Sequence, residues 1–215
     1  MSKAFSFDPA AVRQQIASCA ARLIAEDGMD YHGAKRKAVQ QLFGTAPKGL
    51  ADFLPNNREI EDEVRLYQQL FQSESQPLRL AELRRKAVGL MQELADYEPY
   101  LTGAVLNGTA SEHSPIRLEL FVDSAKDVQI FLLNLGAEFD VHEETTSLGL
   151  CEVVHTLWDE EDALLYLYPS QALRQQRKAA RGDENGHERI TERANLSQLL
   201  KQFGTILSEC DDYEQ

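Results

Sequence analysis

Residues 101–122 hold the side chains whose types and spacing point most directly to chemistry. The centre of that stretch reads Gly103-Ala104-Val105-Leu106-Asn107-Gly108-Thr109-Ala110, and Ser114-Pro115-Ile116-Arg117-Leu118-Glu119 follows shortly after. Glycine at such a turn permits positive φ and lets backbone N–H groups approach a phosphate closely. Arg117 and Glu119 stand at i and i+2 on a predicted strand and therefore share a face. A guanidinium grips phosphate or carboxylate through a planar fork. Gly103, Ala104, Gly108, Thr109, Ser114, Arg117 and Glu119 are accordingly the candidate set for binding a nucleotide or another anion. The plainer view is a tight connection between strands, followed by a solvated Arg–Glu pair with little net stabilisation. Other chemistries lack their residues. The histidines at 32, 113, 142, 155 and 187 show no H-x-x-x-H or H-E-x-x-H spacing for zinc. Neither a G-x-S-x-G elbow nor a G-x-x-x-x-G-K-[ST] phosphate loop occurs.

The same stretch resembles the DNA polymerase β-like nucleotidyltransferase superfamily, whose motif is Gly-Ser, a spacer, and Asp-x-Asp on a strand. Gly103 takes the motif glycine and Ala104 the serine position. Gly108 and Ala110 match the inner Gly-x-Ala of minimal members, and Ser114, Ile116 and Leu118 match the frame of the Ser-Asp-Ile-Asp-Leu strand. The run is more closely similar to a bacterial group of nucleotidyltransferase-like proteins with a helical N-terminal extension. That group uses a Gly-Thr-Ala turn and a strand ending Leu-x-Leu-Phe. The resemblance covers residues 78–169 and implies that fold and a nucleotide ligand. It departs where catalysis resides. In active members the two aspartates and a third carboxylate on a later strand hold two Mg²⁺ ions that clamp the triphosphate. Here Pro115 and Arg117 stand at both aspartate positions, and the places for the third, Leu165, Tyr166 and Tyr168, carry no carboxylate. The resemblance thus implies a pseudoenzyme: a nucleotide- or anion-binding or regulatory module with no catalytic residue, metal ligand or cofactor. The alternative is an active enzyme that uses Glu119, another carboxylate and Mg²⁺ to move a nucleotide onto a small molecule, protein or RNA.

The elements that must position this stretch follow from hydrophobic periodicity. The first half is helical, with Asp8-Pro9 opening a helix over 9–27 and Gly28 stopping it. Helices over 31–43, 57–73 (capped by Asn57) and 78–95 follow, the first two of these separated by a loop over 44–56. The pattern then alternates, giving strands at 100–106, 117–122, 138–142, 151–158 and 163–168, with a helix over 124–135. The turn Asp159-Glu160-Glu161-Asp162 joins the last two strands. Residues 171–180 read as helix, 181–187 as loop and 192–207 as a closing helix. The predicted fold is α+β: a helical N-terminal subdomain (1–76), a nucleotidyltransferase-like domain (77–207) with a mixed sheet and helices packed mainly on one face, and a frayed tail (208–215). Residues 16–28 are also similar to the first helix of TetR-type DNA-binding domains. The following Thr45-Ala-Pro-Lys-Gly-Leu-Ala-Asp-Phe-Leu-Pro55 cannot build a recognition helix, so that reading is the weakest.

Composition sets the outer bounds. The chain has 215 residues, 43% hydrophobic and 27% charged, which is an ordinary globular balance. Its formal net charge of −13 repels phosphate backbones and argues against tight binding of duplex DNA. The charge is uneven: residues 1–48 carry +3 and the remainder −16. No stretch approaches the roughly 18 apolar residues of a membrane span, and the start lacks the apolar core of a signal peptide. Cys19, Cys151 and Cys210 are scattered and odd in number, which suits free thiols in a reducing compartment. These features predict a soluble, cytoplasmic protein with no membrane partner. The partners they suit are a nucleotide or other anionic small molecule, and a protein.

Overall fold

A computed structural model of the chain describes residues 8–44, 53–146, 148–173 and 193–211. It is an α+β protein in which helices precede a six-stranded mixed sheet. The chain divides into two compact units, Met1–Arg79 with Thr109–His113, and Leu80–Gly108 with Ser114–Gln215.

The first unit is helical. Helix α1 (Pro9–Asp27) opens where the Asp8 carboxylate accepts the Ala10 N–H, with Pro9 supplying the fixed φ of a first turn. It closes at Gly28, whose φ of 65° is left-handed; a Cβ there would lie 2.8 Å from that of His113. Helix α2 (Tyr31–Phe43) is capped by Asp30. Helix α3 (Asn57–Phe71) is capped one residue earlier than its sequence suggests. Asn56 is the cap because Glu59 reaches back to its N–H while its own side chain accepts from Glu59. Ile16, Ala17, Ala20, Ala34, Ala38, Ile60 and Val64 are buried together, small residues letting the helices approach closely. The segment 109–113 belongs here: the buried Gln68 amide donates to the carbonyls of Thr109 at 3.0 Å and Ala110 at 3.3 Å.

The second unit carries the sheet. The boundary between units falls inside α4 (Ser75–Glu93), which precedes β1 (Tyr100–Thr102), α5 (Gly103–Asn107), β2 (Ile116–Val122) and α6 (Ala125–Asn134). Strands β3 (Phe139–Thr146), β4 (Gly149–Trp158), β5 (Glu161–Pro169) and β6 (Arg193–Asn195) follow, and α7 (Leu196–Asp211) comes last. Strand order is β3-β4-β5-β2-β1-β6, with β2 and β5 parallel and the other neighbours antiparallel. Alternation assigns the faces. Ile116, Leu118, Leu120, Leu165 and Val154 are fully buried on one of them. Helices α4 and α6 cover that same face. Lys86 of α4 bonds Glu161, the Trp158 indole donates to the Lys86 carbonyl, and Gln129 of α6 bonds Glu152. Among the described residues no helix is long and apolar enough to cross a membrane.

Three expectations need correction. The strand expected over 100–106 ends at Thr102, the last residue paired with β2; Gly103, at φ 72°, turns the chain into α5. The Arg84 guanidinium holds α5 in place by donating to the carbonyls of Val105 and Leu106. The closing helix expected over 192–207 begins with a strand, because Asn195 and Gln198 form a reciprocal cap that starts α7 only at Leu196. The strand expected over 138–142 runs on to Thr146, kept in register by β4. The loop read over 44–56 and the readings of 171–180 and 181–187 lie largely or wholly outside the described residues.

Replacing Gln68 by Leu should test the tie between α3 and 109–113. It removes the Gln68 donor from the Thr109 carbonyl and one of two amide donors from the Ala110 carbonyl, which Gln76 still reaches at 3.1 Å, at a cost of about 1–3 kcal/mol. The expected outcome is a lower urea midpoint with an unchanged m-value.

Candidate functional site

The face of the sheet opposite α4 and α6 collects the polar side chains of β2. The register puts Arg117 beside Thr102 on one side and Leu164 on the other, Glu119 beside Tyr100 and Tyr166, and Phe121 beside Tyr168. Strand β6 adds Arg193 opposite Thr102 and Asn195 opposite Tyr100. Arg117, Thr102 and Arg193 therefore form one row across three strands, and Glu119 sits in the next row.

Glu119 is only 4% exposed. Its Oε2 accepts from Arg193 Nη1 at 2.9 Å. Burial pushes the Glu119 carboxyl up and the Arg193 charge and hydrogen bond pull it down; burial prevails, leaving it above the ordinary carboxylate range. The Arg193 guanidinium lies 5.0 Å from the Phe121 ring centroid and 5.6 Å from that of Tyr100. Those rings meet edge to face, and Phe121 stacks on Tyr168, so an aromatic row braces the cation. This corrects the expectation of a solvated Arg117–Glu119 pair. Side chains at i and i+2 on a strand stand about 7 Å apart, and the partner of Glu119 comes instead from β6.

Arg117 is half-buried, and no described carboxylate forms a salt bridge with it. Its Cδ lies 3.3 Å from where a Cβ would stand on Gly103, so glycine there serves both the turn and the path of the arginine. The Tyr166 phenol is pushed up by burial, which outweighs the opposing charge of Arg117. The Cys151 thiol is buried, donates to the Glu144 carbonyl at 3.5 Å and is raised by burial, which suits an inert thiol rather than a nucleophile.

The candidate residues therefore separate. Gly103 and Arg117 come together, Glu119 sits one row along the same face with Arg193, and Ala104 follows Gly103 in α5. Gly108 caps the far end of α5 beside Arg84. Thr109 is 1% exposed and belongs to the helical unit, its carbonyl bound by Gln68. Ser114 is half-buried ahead of β2. Leu165 faces the covered side of the sheet, which removes it from the positions open to a third carboxylate. Among the described residues no group of three or more His, Cys, Asp or Glu could hold a metal ion. The residues present do not fit a two-Mg²⁺ site, because Glu119 is paired with Arg193 and Arg117 stands on the same face. Arg193 is the residue of this face that the sequence concealed, its only signal being three residues of strand before the Asn195–Gln198 cap. A depression of about 440 Å³ in the helical unit is lined by Pro9, Gln14 and an exposed Arg13–Glu59 pair at 3.7 Å, among others.

The elevated Glu119 carboxyl has a signed consequence. A carboxyl whose folded pKa exceeds its unfolded one favours folding fully below the unfolded value, and that contribution is lost as pH rises through the folded value. The wild type should lose stability relative to Glu119→Gln across that window in urea titrations run at successive pH values. Arg193→Met should enlarge the loss, by about 3 kcal/mol at neutral pH, because the ionised carboxylate is then buried without a cation.

No family model, curated protein or solved structure matches the chain, so the geometry of this face carries the functional argument.

Proposed function

We propose that the chain is a nucleotidyltransferase-fold module without metal-dependent transfer, which binds a nucleotide or other anionic small molecule through Arg117. The observation that carries the reading is the environment of Arg117. It is a half-buried guanidinium on the polar sheet face, with no described carboxylate to neutralise it. It also stands where the resemblance calls for a metal-holding aspartate. The order of elements supports the fold assignment: a helix precedes β1, β1 is antiparallel to β2, a helix follows β2, and β2 is parallel to the later β5.

Electrostatics favours an anion over a metal here. A unit positive charge about 4 Å from a divalent ion repels it by several kcal/mol at an effective dielectric of about 20. The lost carboxylates withdraw attraction of similar size. The same cation attracts phosphate or carboxylate and can hold it through two parallel N–H bonds.

No Mg²⁺-dependent transfer from ATP, CTP, GTP or UTP is expected in a radiolabel assay. Arg117→Ala should weaken nucleotide binding measured in EDTA. The pair of changes Pro115→Asp with Arg117→Asp should raise Mg²⁺ affinity in titration calorimetry. Turnover by the unmodified protein that disappears in Glu119→Ala would instead establish the active enzyme.

A further inference from the structure

We propose that Arg193 and Arg117 together form a metal-free clamp for linked phosphates, in which Glu119 is the positioning residue that aims Arg193. This rests on the anion-binding reading of Arg117 and adds the second cation and the class of ligand.

Thr102 of β1 faces Arg117 on one side and Arg193 on the other. Two strand spacings place the arginine Cα atoms about 10 Å apart, with both side chains on one face. Forks rooted that far apart suit linked phosphates, which offer separate sets of oxygens, better than a single phosphate. Arg193 uses one guanidinium nitrogen on Glu119. Among the described residues only Glu119 accepts a hydrogen bond from the Arg193 side chain, which keeps 14% of its surface exposed. Its guanidinium is braced by Phe121 and Tyr100, which lowers the entropy lost when it meets a ligand. The two arginines and Glu119 sum to one positive charge at the β2–β1–β6 edge, while Asp162 of β5 and Asp140 and Glu144 of β3 carry the acids of the same face farther along the sheet. The positive end of the face is therefore the edge where the forks are.

The role of Glu119 gives the proposal its sign. As a metal ligand it would be needed for binding. As a positioning residue it opposes anions by its charge while holding Arg193 by its oxygen. Glu119→Gln keeps an acceptor for Arg193 and removes the charge.

The test is calorimetric titration of the full chain in EDTA with inorganic pyrophosphate and triphosphate, with adenosine as control and thermal unfolding to confirm each variant is folded. Both phosphates should bind and adenosine should not. Arg117→Ala and Arg193→Gln should each weaken binding by about tenfold or more, and Glu119→Gln should tighten it severalfold. Should Arg193→Gln fail to fold, Arg193→Lys, which keeps the charge and loses the fork, should still weaken binding measurably. Undiminished binding in a folded Arg193 variant, with loss in Arg117→Ala, overturns the clamp and leaves the single-arginine reading standing. No effect of Arg117→Ala, or no binding by the wild type, overturns both. Binding that needs Mg²⁺ or vanishes in Glu119→Gln makes Glu119 a metal ligand and also overturns the clamp, as does adenosine binding as tightly as triphosphate.

Discussion

Strand β2 runs through the interior of the sheet, with β1 on one side and β5 on the other. Its Ile116, Leu118 and Leu120 are sealed beneath helices, and its opposite face carries a carboxylate that is almost as well hidden. A charge removed from water in this way must be neutralised by protonation or by a cation. The chain supplies the cation from β6, and to deliver it β6 must pair with β1 in the register that sets Arg193 opposite Thr102. The short edge strand, the start of α7 and the aromatic row under the guanidinium all follow from that demand.

The sheet unit compensates its other buried cations differently. Arg84 pairs with no described carboxylate; it donates to the Val105 and Leu106 carbonyls and lies 3.7 Å from the Phe203 ring centroid. Burial draws it down to about 10, still charged at neutral pH. Burial also pulls the Lys86 ammonium down, but hydrogen bonds and charges from Glu161 and Glu82 outweigh it. Lys86 and Arg84 are thereby committed to holding elements together. Arg117 differs from both: no described carbonyl or carboxylate accepts from it, and it shares its row with Thr102.

Much of the fold was legible because local signals agreed with the final packing. Alternation over 116–122 separated Arg117 and Glu119 from the leucines, and the Asp8-Pro9 and Asp159–Asp162 signals marked a helix start and a strand turn at the right places. The failures have a common cause. Residues 103–107 are apolar enough for either a strand or a helix, and only the end of the β1 ladder and the Arg84 contacts decide between them. Arg193-Ala194-Asn195 is too short for any periodicity to show. The Glu119–Arg193 pair joins positions that no local pattern connects, so the sequence suggested the nearer arginine. Gly103, Arg117 and Glu119 were singled out because they lie close in sequence; Arg193, which the fold brings to the same face, was not.

That distance in sequence matters while the chain is being made. Glu119 and Arg193 are separated by 74 residues. As the polypeptide emerges from a ribosome, β2 through β5 can assemble their ladders well before the residue that neutralises Glu119 exists. Until then the carboxylate must stay hydrated or carry a proton, and the face around it cannot dry. Closure of the sheet is therefore a late, long-range step with a high loop-closure cost, of the kind that slows folding. A ribosome paused between residues 169 and 193 would hold a nascent chain with β1 exposed along one edge, a surface suited to chaperones or to pairing with another chain.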